Sequence, residues 1–533
     1  MTRRLTRRHF LTTGSAALLV ATGMRARPAS AAALSISATS FTLGVASGDP
    51  THNSVVLWTR LATDPLNGGG MPSVPIPVEW EIGTDPQLSH IVHRGVELAQ
   101  PEFAHTVHVP VFGLAPDRWY WYRFRVGSDT STVGRTRTLP PPGAKPDKMR
   151  FAFVSCQNFE DGYYTAYEHL ADEDLDFVIH LGDYIYEGGA SPGGPRQHVG
   201  GESMTLVEYR NRYAQYRSDP NLQAAHALFP FVVVPDDHEA ENNYAGAISE
   251  DNDIPGRAPV PPDVFLQRRA NAYRAYWEHM PLATPPPDGP SIQLFRRFRF
   301  GRLAEFSMLD TRQFRTNQPC GGPLDQLPPA GDDLAFACGQ QANPAATMTG
   351  AVEEAWLFDG LASSPACWNV IAQQVMMSRV NFFPTGPAPL YDMDAWDGYA
   401  AARTRILEFV RDRQISNVVV LSGDIHSSWV ANLRANFDQP GSPVVATELV
   451  GTAISSSFAP QFIAAIQAAL QHPTNAHVKF FDGLFRGYVR CEVDAARWRA
   501  HFRVVDTVLA PQAAVQTLAT FEIRDSAPGA DQI

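Results

Sequence analysis

Four short apolar runs constrain this chain more than any other feature. FAFVS (151–155), DFVIHLG (176–182), FVVVP (231–235) and NVVVLSG (417–423) show no alternation, the mark of strands covered on both faces. Helical patterns lie between or beside them at 205–227, 264–280, 351–361 and 399–413. Strands interleaved with helices predict an α/β layered domain over 150–525, and the runs YVRCEV, WRAHFRVV and LATFEI within 488–525 are expected to complete its sheet.

Each of the four runs stops at side chains that bind metals. The first ends at Cys156, the second at Asp183 with Tyr184, Ile185 and Tyr186, the third at Asp236-Asp237-His238-Glu239, and the fourth at Asp424-Ile425-His426. In open α/β sheets the ligand site lies beyond the carboxyl ends of the strands. Four such ends side by side gather a thiol, several carboxylates, a phenol and two imidazoles, a concentration of negative charge that only cations make tolerable. Taken singly, Cys156 reads as a small buried hydrophobe, Tyr186 as a core aromatic, His426 as a satisfied polar residue and 236–239 as a solvated loop. Their joint occurrence at four strand ends argues for a metal site.

Upstream, residues 40–139 read as short alternating strands with frequent turn signals, predicting an all-β, Ig/fibronectin-like sandwich over 40–141. LAPDRWY (114–120) has the form of a tyrosine corner, and PPPGAKP (140–146) reads as a stiff linker. The N-terminus carries TRRLTRRHFL (2–11), a modest apolar run, and PASAAA (28–33). This predicts a signal peptide over 1–31, and TRRHFL (6–11) is similar to the twin-arginine consensus, implying secretion through that export machinery to the periplasm or beyond. Cleavage near Ala31 removes six arginines and no acid, taking the net charge from −12 to −18. That balance argues against nucleic acid as a partner, and no run of about 20 apolar residues exists to span a membrane. Five cysteines leave one over. Cys320 and Cys338, in a Gly/Pro-rich loop, are expected to pair. Cys367 and Cys491 follow by elimination, with Cys156 left as a ligand.

The motifs SCQN, LGDYIYE, PDDHExxNN, LDTRQFR, QQVMMSR and LSGDIHSSW resemble those of the PhoD-type alkaline phosphatase and phospholipase D family of calcineurin-like metallophosphoesterases. The segment FTLGVASGDP…VVLWTRL is similar to that family's N-terminal domain. The resemblance spans nearly all of 40–525, with Glu241 a departure where the family more often has Asp. It implies a ferric ion with calcium beside it. Cys156, Tyr186, Asp183 and His426 would serve the Fe3+, and Asp183, bridging, with Asp237 and Asp424 the Ca2+. Oxygen donors in place of the wider superfamily's Asn and His favour Ca2+. Gln374, or its neighbour Gln373, is expected to reach calcium through an amide oxygen, with Asp236 and Asn243 as further candidates.

A phosphate ester bridging such cations would be attacked in line by a metal-bound hydroxide. His238 is expected to protonate the leaving oxygen or bind the phosphoryl group. Arg312 is expected to clamp a phosphoryl oxygen, or else to pair structurally with Asp310. Ser427 and Ser428 lack a nucleophile elbow. The expected function is a secreted, monomeric hydrolase of phosphomonoesters and phosphodiesters. Phospholipid cleavage is the alternative within the class, and a calcium-stabilised binding protein the alternative outside it.

Overall fold

The central strands Met149–Val154, Phe177–His180 and Pro230–Val233 pair in parallel, in that spatial order. They form the middle of a ten-stranded sheet. On one flank the antiparallel strands Arg486–Val493, Arg497–Val505, Val515–Arg524 and Ala527–Gln532 extend it, as the C-terminal pattern implied. The fourth apolar run, Val418–Ser422, lies in a second, seven-stranded sheet between Trp368–Ala372 and Val444–Val450. Three of the four strand ends are therefore neighbours, while the fourth arrives from the facing sheet. The computed structural model describes residues 39–254, 256–320, 334–439 and 441–533; the expected signal peptide lies outside them.

The runs are uniformly apolar because both faces of each strand are covered. Phe151, Phe153, Phe177, Ile179 and Val232 point between the sheets and meet Phe306, Val370, Val419, Leu421 and Leu449 from the other side. The alternate residues Ala152, Val154, Val178, Phe231 and Val233 pack under the helices Thr165–Ala171, Leu206–Arg217, Pro220–Leu228 and Pro262–His279. On the second sheet, Ile371, Val418 and Val420 pack under Gly350–Ser363, Ala400–Asp412 and Ile463–Leu470. The result is the expected α/β layered fold, helices outside two sheets. Full burial of each large apolar side chain contributes about 1.5–3 kcal/mol, so a polar residue inside any of these strands would be costly.

The pattern at 205–227, read as one helix, is two. Thr205 and Glu208 form a reciprocal capping box that starts the first. At the break, Asp219 accepts from the backbone N–H groups of Asn221 and Leu222, and Pro220 occupies the first turn of the second helix. Proline's missing N–H and the restriction it places on the preceding residue end one helix and start the next.

Segment 40–141 supplies one whole sheet and three strands of the ten-stranded sheet. Ile76–Gly83, Ile91–Ala99, Trp119–Val126, Asp129–Thr130 and Gly134–Arg137 form the former. Val45–Gly48, Ser54–Arg60 and Thr106–Phe112 continue the ten-stranded sheet, through parallel pairing of Ser47 with Pro230. Tyr120 Oη accepts from Ala115 N at 2.8 Å and donates to Ala115 O at 3.1 Å, closing the tyrosine corner. The proline-rich connection is pinned where Arg302 N donates to Ala144 O. Asp49 pairs with Arg296 at 2.8 Å, and Trp58 Nε1 donates to Glu278 O. Ala38–Ile533 accordingly form one compact unit.

Cys320 and Cys338 are disulfide-bonded, with Cα atoms 5.6 Å apart. The expected Cys367–Cys491 bond is not formed. Cys491 is buried in the core between the sheets, Cys367 lies at the partly exposed start of its strand, and both are free thiols, as is Cys156. Elimination failed because it assumed that every remaining cysteine must pair. Unfolded without reductant, the protein should titrate three thiols and yield a single 320–338 cross-linked peptide on mass mapping. Replacing both bonded cysteines by serine should cost up to about 3 kcal/mol of stability. A 367–491 cross-link in the freshly purified protein would contradict this arrangement.

Candidate metal centre

At three of the four strand ends the backbone reverses through a left-handed residue that is not glycine. Cys156 (φ 57°), Asp183 (56°), Asp424 (65°) and His426 (53°) all adopt this conformation, as does Asn243 (51°) in the loop after Asp237. It costs roughly 1–3 kcal/mol at each such position and persists only where the surroundings impose it. Here it swings thiol, carboxylate and imidazole across the strand ends. Gly182 lets two of the loops meet, since a Cβ there would sit 2.4 Å from that of Asp236.

Three donor groups result, each with ligand atoms within 4.8 Å of one another: Cys156, Asp183 and His426; Asp183, Asp237 and His238; Asp236, Asp237 and Asp424. Asp183 belongs to the first two and Asp237 to the last two, so the groups form one continuous chain of donors. Tyr186 joins the first, its Oη 2.9 Å from both Asp183 Oδ2 and His426 Nε2. His426 Nδ1 donates to Ser457 O at 2.9 Å, which leaves Nε2 as the ligating lone pair. Burial holds this imidazole's pKa near 3, so it is neutral.

The electrostatics call for cations. Burial first, and the Asp183 carboxylate second, push both the Cys156 thiol and the Tyr186 phenol well up. Burial and Asp237 do the same to Asp183, and burial and Asp236 to Asp424. Asp183 Oδ1 and Asp237 Oδ1 are buried without a hydrogen-bond donor, a costly state that a bound cation relieves. The donor chemistry fits two kinds of ion: thiol, phenol and imidazole on one side, hard carboxylate oxygens on the other.

His238 lies on the cleft beside these groups, its ring stacked on Tyr186 at a centroid distance of 4.0 Å. Its Nδ1 is 2.7 Å from Glu187 Oε2. Burial alone would lower its pKa, but Glu187, Asp237 and Asp183 outweigh it and raise the imidazolium's pKa well above the usual range.

Two expected residues do something else. Gln374 Oε1 accepts from Thr311 N and Oγ1 at 3.1 and 2.7 Å, and its Nε2 donates to Leu309 O. The amide oxygen is taken by Thr311 and ties down the 309–311 loop; Gln373 is likewise held, by Val375, Ser422 and Trp396. Arg312 is fully buried and does not line the cleft, so it is placed to balance charge rather than to clamp a phosphoryl oxygen. Its guanidinium pairs with Asp236 and with Asp394 at 2.7 Å, and lies 3.4 and 3.5 Å from Asp424 and Asp237. Asp310 instead accepts from the Arg312 backbone N–H.

Two supporting residues, Asp394 and Glu187, escaped the sequence reading, and Glu239, read there as a donor, has another task. Glu239 accepts from the backbone N–H groups of Asp183, Tyr184 and Asp236, stapling two of the ligand loops together. Asp394 pairs with both Arg312 and Arg315, and Glu187 orients His238. The two arginines of LDTRQFR were a signal that a buried carboxylate had to exist for them.

Carboxylates, a thiol and imidazoles converging where two helix-covered sheets end define a metal-dependent phosphoester hydrolase. The chain belongs to the PhoD-like phosphatase family: that family's model matches residues 151–502, and the model of its N-terminal domain matches 27–140. It is 49% identical over 498 residues to alkaline phosphatase D of Bacillus subtilis (strain 168), covering 92% of this chain and 82% of that protein. A solved structure of PhoD matches with a TM-score of 0.85 at 47% identity, covering 93% of this chain and 92% of the other.

The shared position of Asp183 predicts a graded loss of metal. Asp183→Ala should lower the metal content per chain, measured by elemental mass spectrometry, more than Cys156→Ser or Asp424→Ala does. Full metal retention in Asp183→Ala would rule out its bridging place.

Proposed function

We propose that this chain is an exported alkaline phosphatase and phosphodiesterase that holds ferric iron at Cys156, Asp183, Tyr186 and His426, and calcium at Asp183, Asp237 and Asp424, with Asp236 beside them. The observation that carries this reading is the place of Asp183, between a thiol–phenol–imidazole group and a carboxylate group. Such ions, when bound, neutralise the phosphoryl oxygens and supply an activated water. The chain's own residues do the rest. Ser457 fixes the tautomer of His426, and Glu239 holds the two carboxylate loops in register. Glu187 keeps the His238 ring in place and charged, so that it can give a proton to the departing alkoxide.

No helix of the described residues is long and apolar enough to cross a membrane. Export through the twin-arginine route is read from residues 2–33, and the enzyme is taken to act on small esters as a monomer.

Iron bound by thiolate and phenolate should colour the protein. Cys156→Ser and Tyr186→Phe should each shift or bleach a visible charge-transfer band, and chelation should abolish ester hydrolysis. A colourless, iron-free and fully active preparation would overturn the iron assignment.

His238→Ala should reduce kcat/KM on alkyl phosphates by roughly 10²-fold and on nitrophenyl esters by much less, because nitrophenolate leaves without a proton. Because the folded-state pKa of His238 is raised, the proton donor persists through neutral pH and is lost only as pH climbs through that raised value. Glu187→Gln removes the first carboxylate that raises it, so the alkaline limb of the kcat profile on alkyl esters should move to lower pH. Equal losses on both ester types in His238→Ala, with an unmoved limb in Glu187→Gln, would point to a structural histidine.

A further inference from the structure

The cleft beside the donor groups has a volume of about 580 Å3, and its lining is of two kinds. One is polar, made by Asp183, Asp237, His238, Asp424 and His426. The other is apolar, made by Phe382, Ile425, Phe458, Pro460, Phe462 and Ile466. Ile425 sits between two ligand residues, so the apolar wall begins within the donor loop itself. Phe458 follows Ser457, whose carbonyl accepts the hydrogen bond of His426 Nδ1. The wall is thereby tied to the metal-binding imidazole. Its position is also braced from behind: Phe458 stacks edgewise on Phe481 with centroids 6.2 Å apart, and it lies against Gly483, where a Cβ would come within 2.9 Å of the ring. Phe382 and Phe458 are half-buried, each offering part of its ring to the cleft.

Charge narrows the occupant. Among the described residues lining the cleft there is no lysine or arginine, and Asp392 adds a further carboxylate. A second anionic group on the substrate would find no cationic side chain beyond the donor groups, whereas an apolar substituent would cover Phe382, Phe458 and Ile425 and remove their surface from water.

We propose that this wall is a specificity surface that seats an uncharged alkyl or aryl substituent of the ester, and that it selects such esters over those carrying a second anion. The inference rests on the phosphatase reading above and adds to it the class of substituent. Phe382 and Phe458 are its specificity-determining residues.

The test is a series of n-alkyl phosphates from ethyl to hexyl, assayed with the metal-loaded enzyme. Their alcohols differ little in acidity, so the chemical step is nearly constant and the slope reports contact with the wall. In the wild type kcat/KM should rise by up to about fourfold for each methylene buried, until the cleft is filled. Phe458→Ala and Phe382→Ala should each flatten the slope, read as the hexyl-to-ethyl ratio within each variant. A hexyl phosphate ending in a carboxylate should be hydrolysed at least tenfold more slowly than hexyl phosphate itself. A flat wild-type series, slopes unchanged in both variants, or equal rates on the carboxylate-bearing ester would overturn the proposal while leaving the phosphatase reading intact. Failure to hydrolyse every ester, ethyl phosphate included, would overturn that reading.

Discussion

The buried guanidinium of Arg312 faces the carboxylates of Asp236, Asp237, Asp394 and Asp424, the last of them partly exposed on the cleft. One positive charge, helped by Arg315 on Asp394, cannot neutralise four negative ones. The chain builds this imbalance into the point where its two sheets meet. Burying unpaired carboxylates costs several kcal/mol each, a cost that bound cations would relieve. The left-handed turns at Cys156, Asp183, Asp424 and His426 add to that cost, and the dry core on both faces of each strand supplies the stability that offsets it.

The architecture was legible because burial on both faces leaves a plain mark: an apolar run with no alternation. The candidate donor residues were legible for a related reason, since each stands within a few residues of the end of such a run, where loop residues must turn over the sheet end. Membership of a particular sheet was not. Nothing in NVVVLSG distinguishes a strand beside DFVIHLG from one facing it, because pairing depends on residues far away in sequence. Gln374 shows the same limit at the level of one side chain. It stands two residues beyond Trp368–Ala372, where a ligand is plausible, yet Thr311 takes its oxygen. Glu239 and Asp394 have roles visible only as distances, to backbone N–H groups and to two guanidinium groups.

The N-terminal strands contribute to the same logic from outside the site. Val45–Gly48 covers the edge of Pro230–Val233 that would otherwise be open, directly upstream of Asp236 and Asp237. A covered edge cannot pair with another chain, and the strand that carries two of the carboxylates gains a neighbour on each side.

That sheet also governs when the protein can fold. Met149–Val154 pairs on one side with Arg486–Val493, with Phe153 opposite Val489, while the strand carrying Asp236 and Asp237 pairs with residues near position 47. Neither neighbour is local, so the closure of very long loops must precede the contacts that reward it. During synthesis the centre of the sheet waits for almost the entire chain to emerge from the ribosome, and its strand edges stay exposed until then. A nascent chain of this kind is aggregation-prone for longer than one built from local hairpins, and truncation at either end removes a strand from the sheet that carries most of the donor loops.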